Sequence, residues 1–137
     1  MYEAHGIFAL TNMSTPCCGA TPAPTVKDLE ALTKVYAALA DPTRLRILSL
    51  LGDGEICVCH IHASLDVPQP TASRHLAYLK KSGLVEARRD GIWMHYKMAA
   101  LDNPVIAAVV KAALHALTHA DISAKDERRL QIALKAS

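Results

Sequence analysis

A chain of 137 residues, 51% hydrophobic and 20% charged, has the length and make-up of one packed domain, which excludes an intrinsically disordered protein. Lys, Asp or His cuts every apolar run short of the ~20 residues a membrane span needs, and residues 1–10 carry Glu3 and His5 without a basic opening, so a cytoplasmic protein is expected rather than a membrane or secreted one. Aromatics are 4% and net charge is only +2, so the core must come from Ala, Leu, Ile and Val, which favours helices over a β-sandwich.

Residues 1–25 hold Gly6, Pro16, Gly19, Pro22 and Pro24 among small polar residues and read as a flexible arm carrying Cys17 and Cys18. From Val26 the spacing turns helical, with Leu29, Leu32, Val35, Tyr36 and Leu39 recurring three and four apart. Asp41-Pro42 restarts the chain as an N-cap and first helical residue. Leu45, Ile47, Leu48, Leu50 and Leu51 then make the second helix nearly buried, as far as Gly52-Asp53-Gly54. A short helix is expected over 55–65 and a stiff turn at Val67-Pro68-Gln69-Pro70. The next helix, over 71–82, turns Ala72, Leu76 and Leu79 inward, leaves Arg74, His75, Tyr78, Lys80 and Lys81 outside, and ends at Gly83. Strand-like runs at 84–88 and 93–98 flank Asp90-Gly91, a strong hairpin signal. Asn103-Pro104 opens an apolar helix striped by Ile106, Val109, Val110, Ala113, Leu114 and Leu117, and a polar helix over about 123–135 follows.

This order predicts a mainly α protein with a small β-hairpin, a winged helix-turn-helix: an arm (1–25), a winged domain (26–121) and a C-terminal polar helix (122–137). The stripes at 29–39 and 106–117 exceed the needs of so small a core, so they are expected to bury one another in a homodimer that presents two reading helices. Between Pro68 and Arg89 stand Arg74, Lys80, Lys81, Arg88 and Arg89 against Glu86 alone, an electrostatic footprint for phosphates. The four cysteines come as two tight pairs, Cys17-Cys18 and Cys57/Cys59, a spacing that in a reducing compartment suggests metal binding or redox sensing before structural disulfides. On a helix, residues two apart diverge by about 200°, so Cys57 and Cys59 are not expected to grip one ion together, whereas a vicinal pair on an arm can.

The runs Leu39-Ala40-Asp41-Pro42-Thr43-Arg44-Leu45-Arg46-Ile47-Leu48, Glu55-Ile56-Cys57-Val58-Cys59, Gln69-Pro70-Thr71-Ala72-Ser73-Arg74-His75-Leu76, Leu79-Lys80-Lys81-Ser82-Gly83-Leu84-Val85 and Arg89-Asp90-Gly91 resemble, in this order, the ArsR/SmtB metalloregulatory repressors over roughly residues 27–118. The resemblance implies a dimer, not an enzyme, that sits on operator double-stranded DNA and leaves it when a metal or metalloid binds. It places the DNA helix on 69–82, with Gln69, Thr71, Ser73, Arg74 and His75 toward base edges and Lys80, Lys81, Arg88 and Arg89 on phosphates. Pro68 stands where many relatives carry a Ser cap.

Cys57-Val58-Cys59 falls at the position of the thiols used by arsenic repressors and cadmium/lead sensors, and Cys17-Cys18 resembles the arm pair of some arsenic-sensing members. The resemblance therefore implies one site from Cys17, Cys18, Cys57 and Cys59, reached across to the partner subunit by an arm that spans up to ~33 Å between Cys18 and Asp28. As(III) or Sb(III) on three thiolates, Cys17, Cys18 and one of Cys57 or Cys59, is the expected inducer, with Cd(II) or Pb(II) on four as the alternative, and no organic cofactor. His62 stands where the commonest arsenic pattern has a further Cys. For the family's zinc site on the C-terminal helix, Asp102 and His115 fit, but Pro104 and Thr118 replace a His and a Glu, so that site is not expected. A thiol redox-sensing repressor is the remaining reading, although relatives of that type use a Cys on the C-terminal dimer helix and this chain has none there.

Overall fold

Thr25 starts the first helix with a reciprocal cap: its hydroxyl accepts the Asp28 N–H at 3.2 Å, and the Asp28 carboxylate accepts the Thr25 N–H at 2.8 Å. The computed structural model describes residues 25–52 and 54–137, so the expected arm, with Cys17 and Cys18, lies outside the described residues. Helix α1 runs Val26–Leu39 and α2 Pro42–Leu51. Asp41 caps α2 as expected, its Oδ1 accepting the N–H of Thr43 at 2.8 Å and of Arg44 at 3.1 Å. Strand β1 (Ile56–Cys57), α3 (Val58–Leu65), α4 (Gln69–Lys81), β2 (Val85–Asp90), β3 (Trp93–Met98), α5 (Pro104–Leu117) and α6 (Asp121–Lys135) follow. Asn103 opens α5, its side-chain oxygen accepting the Val105 N–H at 2.9 Å.

Besides β2, which runs on to Asp90, and α6, which starts at Asp121, the starts of α3 and α4 depart from expectation. The helix expected over 55–65 begins at Val58, because Ile56 and Cys57 pair antiparallel with Tyr96 and His95 and form the third strand of a sheet ordered β1-β3-β2. Helix α4 begins at Gln69: Pro70 is tolerated in a first turn whose N–H groups are unpaired anyway, and the Pro68 carbonyl accepts the N–H groups of Thr71 and Ala72. No side chain caps this end.

The core gathers Ile47, Leu48 and Leu51 of α2, Ile61 and Leu65 of α3, Leu76 and Leu79 of α4, and Leu84 at the root of the wing. Leu76 has no exposed surface, so Leu76→Ala is expected to cost about 2–5 kcal/mol of stability, read as a lowered urea midpoint with unchanged slope. The α1 and α5 stripes are only half used within the chain. Val35, Ala38, Ile106 and Val110 are buried, whereas Tyr36 is 56% exposed. Tyr36, Leu39, Ala108, Val109, Ala112 and Ala113 line an apolar groove of about 470 Å³ between the two helices. Among the described residues, no single helix is long and apolar enough to cross a membrane.

Candidate nucleic-acid interface and thiol site

Helices α3 and α4 are joined by a tight turn that Asp66 makes possible by adopting a left-handed conformation, φ 58° and ψ 48°. With Ala72, Leu76 and Leu79 locked inward, α4 presents Gln69, Arg74, Tyr78, Lys80 and Lys81 to solvent and Thr71 and Ser73 half-buried. His75 is drawn inward. Its Nδ1 lies 3.8 Å from Asp41 Oδ1 and 3.5 Å from Arg44 Nη1, and the side chain is 18% exposed.

Arg44 was part of the sequence pattern but had no assigned role. Its Nε donates to the Ala38 carbonyl at 2.7 Å and its Nη2 to the Ala37 carbonyl at 3.1 Å, satisfying the C-terminal end of α1. Its guanidinium carbon lies 4.1 Å from the Tyr78 ring centroid. One side chain thus ties α1, α2 and the reading helix together. In the wing, Arg88 is engaged with Glu55 through Nη2 at 2.7 Å and Nε at 3.1 Å, and the guanidinium holds the Glu55 carboxyl below its ordinary range. Arg89, two residues from the turn, is exposed.

Cys57 ends β1 and caps α3 with extended backbone, φ −68° and ψ 144°, and its sulfur accepts the Cys59 N–H at 3.5 Å. The Cys59 thiol donates to Cys57 Sγ at 2.9 Å. The expected 200° divergence therefore does not arise: it supposed both residues inside one helix, whereas Cys57 stands before the helix and the extended backbone brings both sulfurs to one side. Two sulfurs each ~2.3 Å from one tetrahedral ion stand about 3.7 Å apart, so an opening of under about 1 Å converts the contact into a chelating pair. Burial, then the hydrogen bond to Cys57, push the Cys59 thiol up to about 11. Among the described residues no three His, Cys, Asp or Glu side chains cluster closely enough to hold an ion, so these two thiols do not form a complete site by themselves. His60 Nε2 contacts Ser137 Oγ at 2.6 Å and His62 Nδ1 lies 3.3 Å from the Val67 carbonyl.

A buried ion pair braces this region. Asp126 of α6, 1% exposed, accepts Arg46 Nε and Nη2, both at 2.8 Å, while Nη2 also donates to the Leu65 carbonyl at 2.9 Å, at the end of the thiol-bearing helix. Sequence reasoning missed Asp126. The available signal was Arg46 itself, a cation set between Leu45 and the buried Ile47 and Leu48 that has to find a partner.

A helix-turn-helix whose second helix leads straight into a two-stranded wing is a winged helix-turn-helix. A family model described as "Bacterial regulatory protein, arsR family" matches residues 41–87. An uncharacterized HTH-type transcriptional regulator of Methanocaldococcus jannaschii is 50% identical over 68 residues, 49% of this chain and 76% of that one. The arsenical resistance operon repressor of Escherichia coli is 48% identical over 67 residues, 48% of this chain and 57% of the repressor. The homodimeric winged helix-turn-helix DNA-binding domain of Mb0332 from Mycobacterium bovis, described as a possible ArsR-family regulator, is similar at a TM-score of 0.56 and 36% identity, covering 74% of this chain and 96% of that domain. The chain belongs to the ArsR/SmtB family of transcriptional regulators.

Proposed function

We propose that this chain is a metalloid-responsive repressor that binds operator DNA as a homodimer and is released when As(III) or Sb(III) binds cysteine thiolates. The observation that carries this reading is the 2.9 Å sulfur contact of Cys57 and Cys59 at the start of α3, the helix packed directly under the reading helix. Cys17 and Cys18 supply the further thiolates from the arm, whose length allows it to reach the partner subunit. Gln69, Thr71, Ser73 and Arg74 face base edges, with His75 contributing only what an 18% exposed side chain leaves open, while Lys80, Lys81 and Arg89 hold phosphates and Arg88 does so on exchanging Glu55 for one. Ligation opens the Cys57–Cys59 contact at the first turn of α3 and pins the arm to that helix, and through Ile61 and Leu65 against Leu76 it shifts α4 away from the half-site. A coupling of 1–3 kcal/mol changes operator affinity by roughly 5–150-fold.

The test is fluorescence anisotropy of the reduced protein on a labelled duplex of its own upstream DNA, titrated separately with As(III) and Cd(II). Release by low-micromolar As(III), with Cd(II) much weaker, is expected. Arg74→Ala and Lys80→Ala lose DNA binding, and Cys17→Ser with Cys18→Ser loses release but keeps DNA binding. Tight binding indifferent to both ions overturns the reading. A Cd(II)- or Pb(II)-responsive repressor is the second reading, favoured by the same contact: both sulfurs already lie on one side, so four thiolates converge without distorting α3. Release by Cd(II) alone would establish it.

The groove between α1 and α5 is taken as the homodimer surface. Ala112→Glu, which places a carboxylate in that groove, is expected to convert the dimer to monomer in sedimentation velocity and to weaken DNA binding with it.

A further inference from the structure

Helix α1 has no basic residue in its last turn, so the carbonyls at its C-terminal end need donors from elsewhere. The next helix supplies them. Arg44 of α2 donates to the Ala37 and Ala38 carbonyls while only 13% of its side chain is exposed. The same guanidinium also faces α4, with Nη1 3.5 Å from His75 Nδ1 and the central carbon 4.1 Å from the Tyr78 ring centroid. His75 and Tyr78 stand three positions apart and so share one side of that helix. A guanidinium suits this place, because its fork meets two carbonyls at once while its flat face lies over a ring; a lysine ammonium cannot do both.

Between the two helices that Arg44 joins there is open space. Thr33, Lys34 and Ala37 of α1 and Tyr78 and Lys81 of α4, together with Ser82, line a groove of about 350 Å³. Arg44 touches one residue from each wall, Ala37 and Tyr78. Helix α4 is seated in the core through Leu76 and Leu79, whereas α1 shares with α5 the groove taken as the homodimer surface. Arg44 therefore stands between the surface that joins two copies and the helix that each copy presents.

We propose that Arg44 is a positioning residue for operator binding: by fastening His75 and Tyr78 of α4 to the end of α1, it sets the separation and tilt of the two reading helices. This rests on the DNA-binding and homodimer readings above. A dimer engages both half-sites only when its heads stand one helical turn, ~34 Å, or a multiple apart. Heads held loosely must be ordered at each binding event. That cost falls on the pair of half-sites and spares a single one.

The experiment measures anisotropy on three labelled duplexes: the upstream operator, the same operator with one base pair inserted at its centre, and a single half-site. The insertion moves the half-sites ~3.4 Å further apart and turns one by ~35° against the other. The unaltered protein is expected to prefer the natural spacing at least about tenfold. Arg44→Met removes the tie but also frees two carbonyls, so Tyr78→Leu, at a position 44% exposed and with Arg44 still on α1, carries the test. Tyr78→Leu is expected to bind the natural operator about threefold to tenfold more weakly and to keep less than about threefold preference for its spacing. Its affinity for the single half-site should not change. Tyr78→Phe keeps the ring and should match the unaltered protein. Full spacing preference in Tyr78→Leu overturns the proposal. Equal weakening on the single half-site overturns it as well, since that would make the side chain a DNA contact. If the unaltered protein binds the operator no better than the single half-site, the homodimer reading falls and the positioning role with it. Failure to bind any of the three takes down the DNA-binding reading itself.

Discussion

Arg46→Ala is expected to destabilise the fold by about 3–5 kcal/mol, lowering the melting temperature by something on the order of 10–20 °C. Asp126 is 1% exposed and receives two hydrogen bonds from the Arg46 guanidinium; Arg129 approaches the same carboxylate at 3.5 Å but is itself 43% exposed. Removing Arg46 strands a carboxylate in the interface between α2, α3 and α6 and frees the Leu65 carbonyl as well. The loss is specific to breaking the pair, so Arg46→Met combined with Asp126→Leu, which removes both charges and keeps the volume, should recover most of the stability. Thermal unfolding by circular dichroism separates the outcomes. A double variant no better than Arg46→Ala would mean that shape, not charge, holds α6 in place.

What could be read from the chain divides along sequence separation. Asp41-Pro42 and Asn103-Pro104 act on their own neighbours, and the caps stand where local chemistry puts them; the hairpin forms as expected but turns one residue later than Asp90-Gly91, on Gly91-Ile92, because Asp90 pairs with Trp93. Cys57 reads as helical because no local signal reveals a two-residue strand; its partner is His95, and only the pairing with β3 makes its backbone extended. The Arg46–Asp126 pair spans 80 positions and Arg88–Glu55 spans 33, so neither partner could be named from spacing. The same limit governs the reading face. Amphipathic spacing correctly separates Leu76 and Leu79 from Arg74 and Lys80, but it could not foresee that Asp41 and Arg44 turn His75 inward. At the thiol pair, the contact between Cys57 and Cys59 is closer than helical spacing allowed.

That contact bears on the second large expectation: Cys57→Ser combined with Cys59→Ser abolishes inducer-driven release, removing the whole 5–150-fold change in operator affinity while DNA binding persists. On the three-thiolate reading one of the two single variants keeps its response, because the arm pair needs only one sulfur from α3; on the four-thiolate reading both singles lose it. The pH dependence separates the two ions by a different route. Cys59, pushed up to about 11, is a protonated thiol throughout the neutral range. Arsenous acid condensing with three thiols, As(OH)3 + 3 RSH → As(SR)3 + 3 H2O, forms three As–S bonds, expels its hydroxyls as water and releases no net proton. A bare Cd(II) ion must instead expel the Cys59 proton to solvent. The concentration of As(III) giving half release is therefore expected to stay level between about pH 6 and pH 8, while that of Cd(II) falls by at least about tenfold per unit as pH rises. A steep pH dependence for As(III) would show that the metalloid displaces protons from this site rather than exchanging hydroxyls for thiols, and would move the sensing chemistry away from a neutral three-sulfur centre.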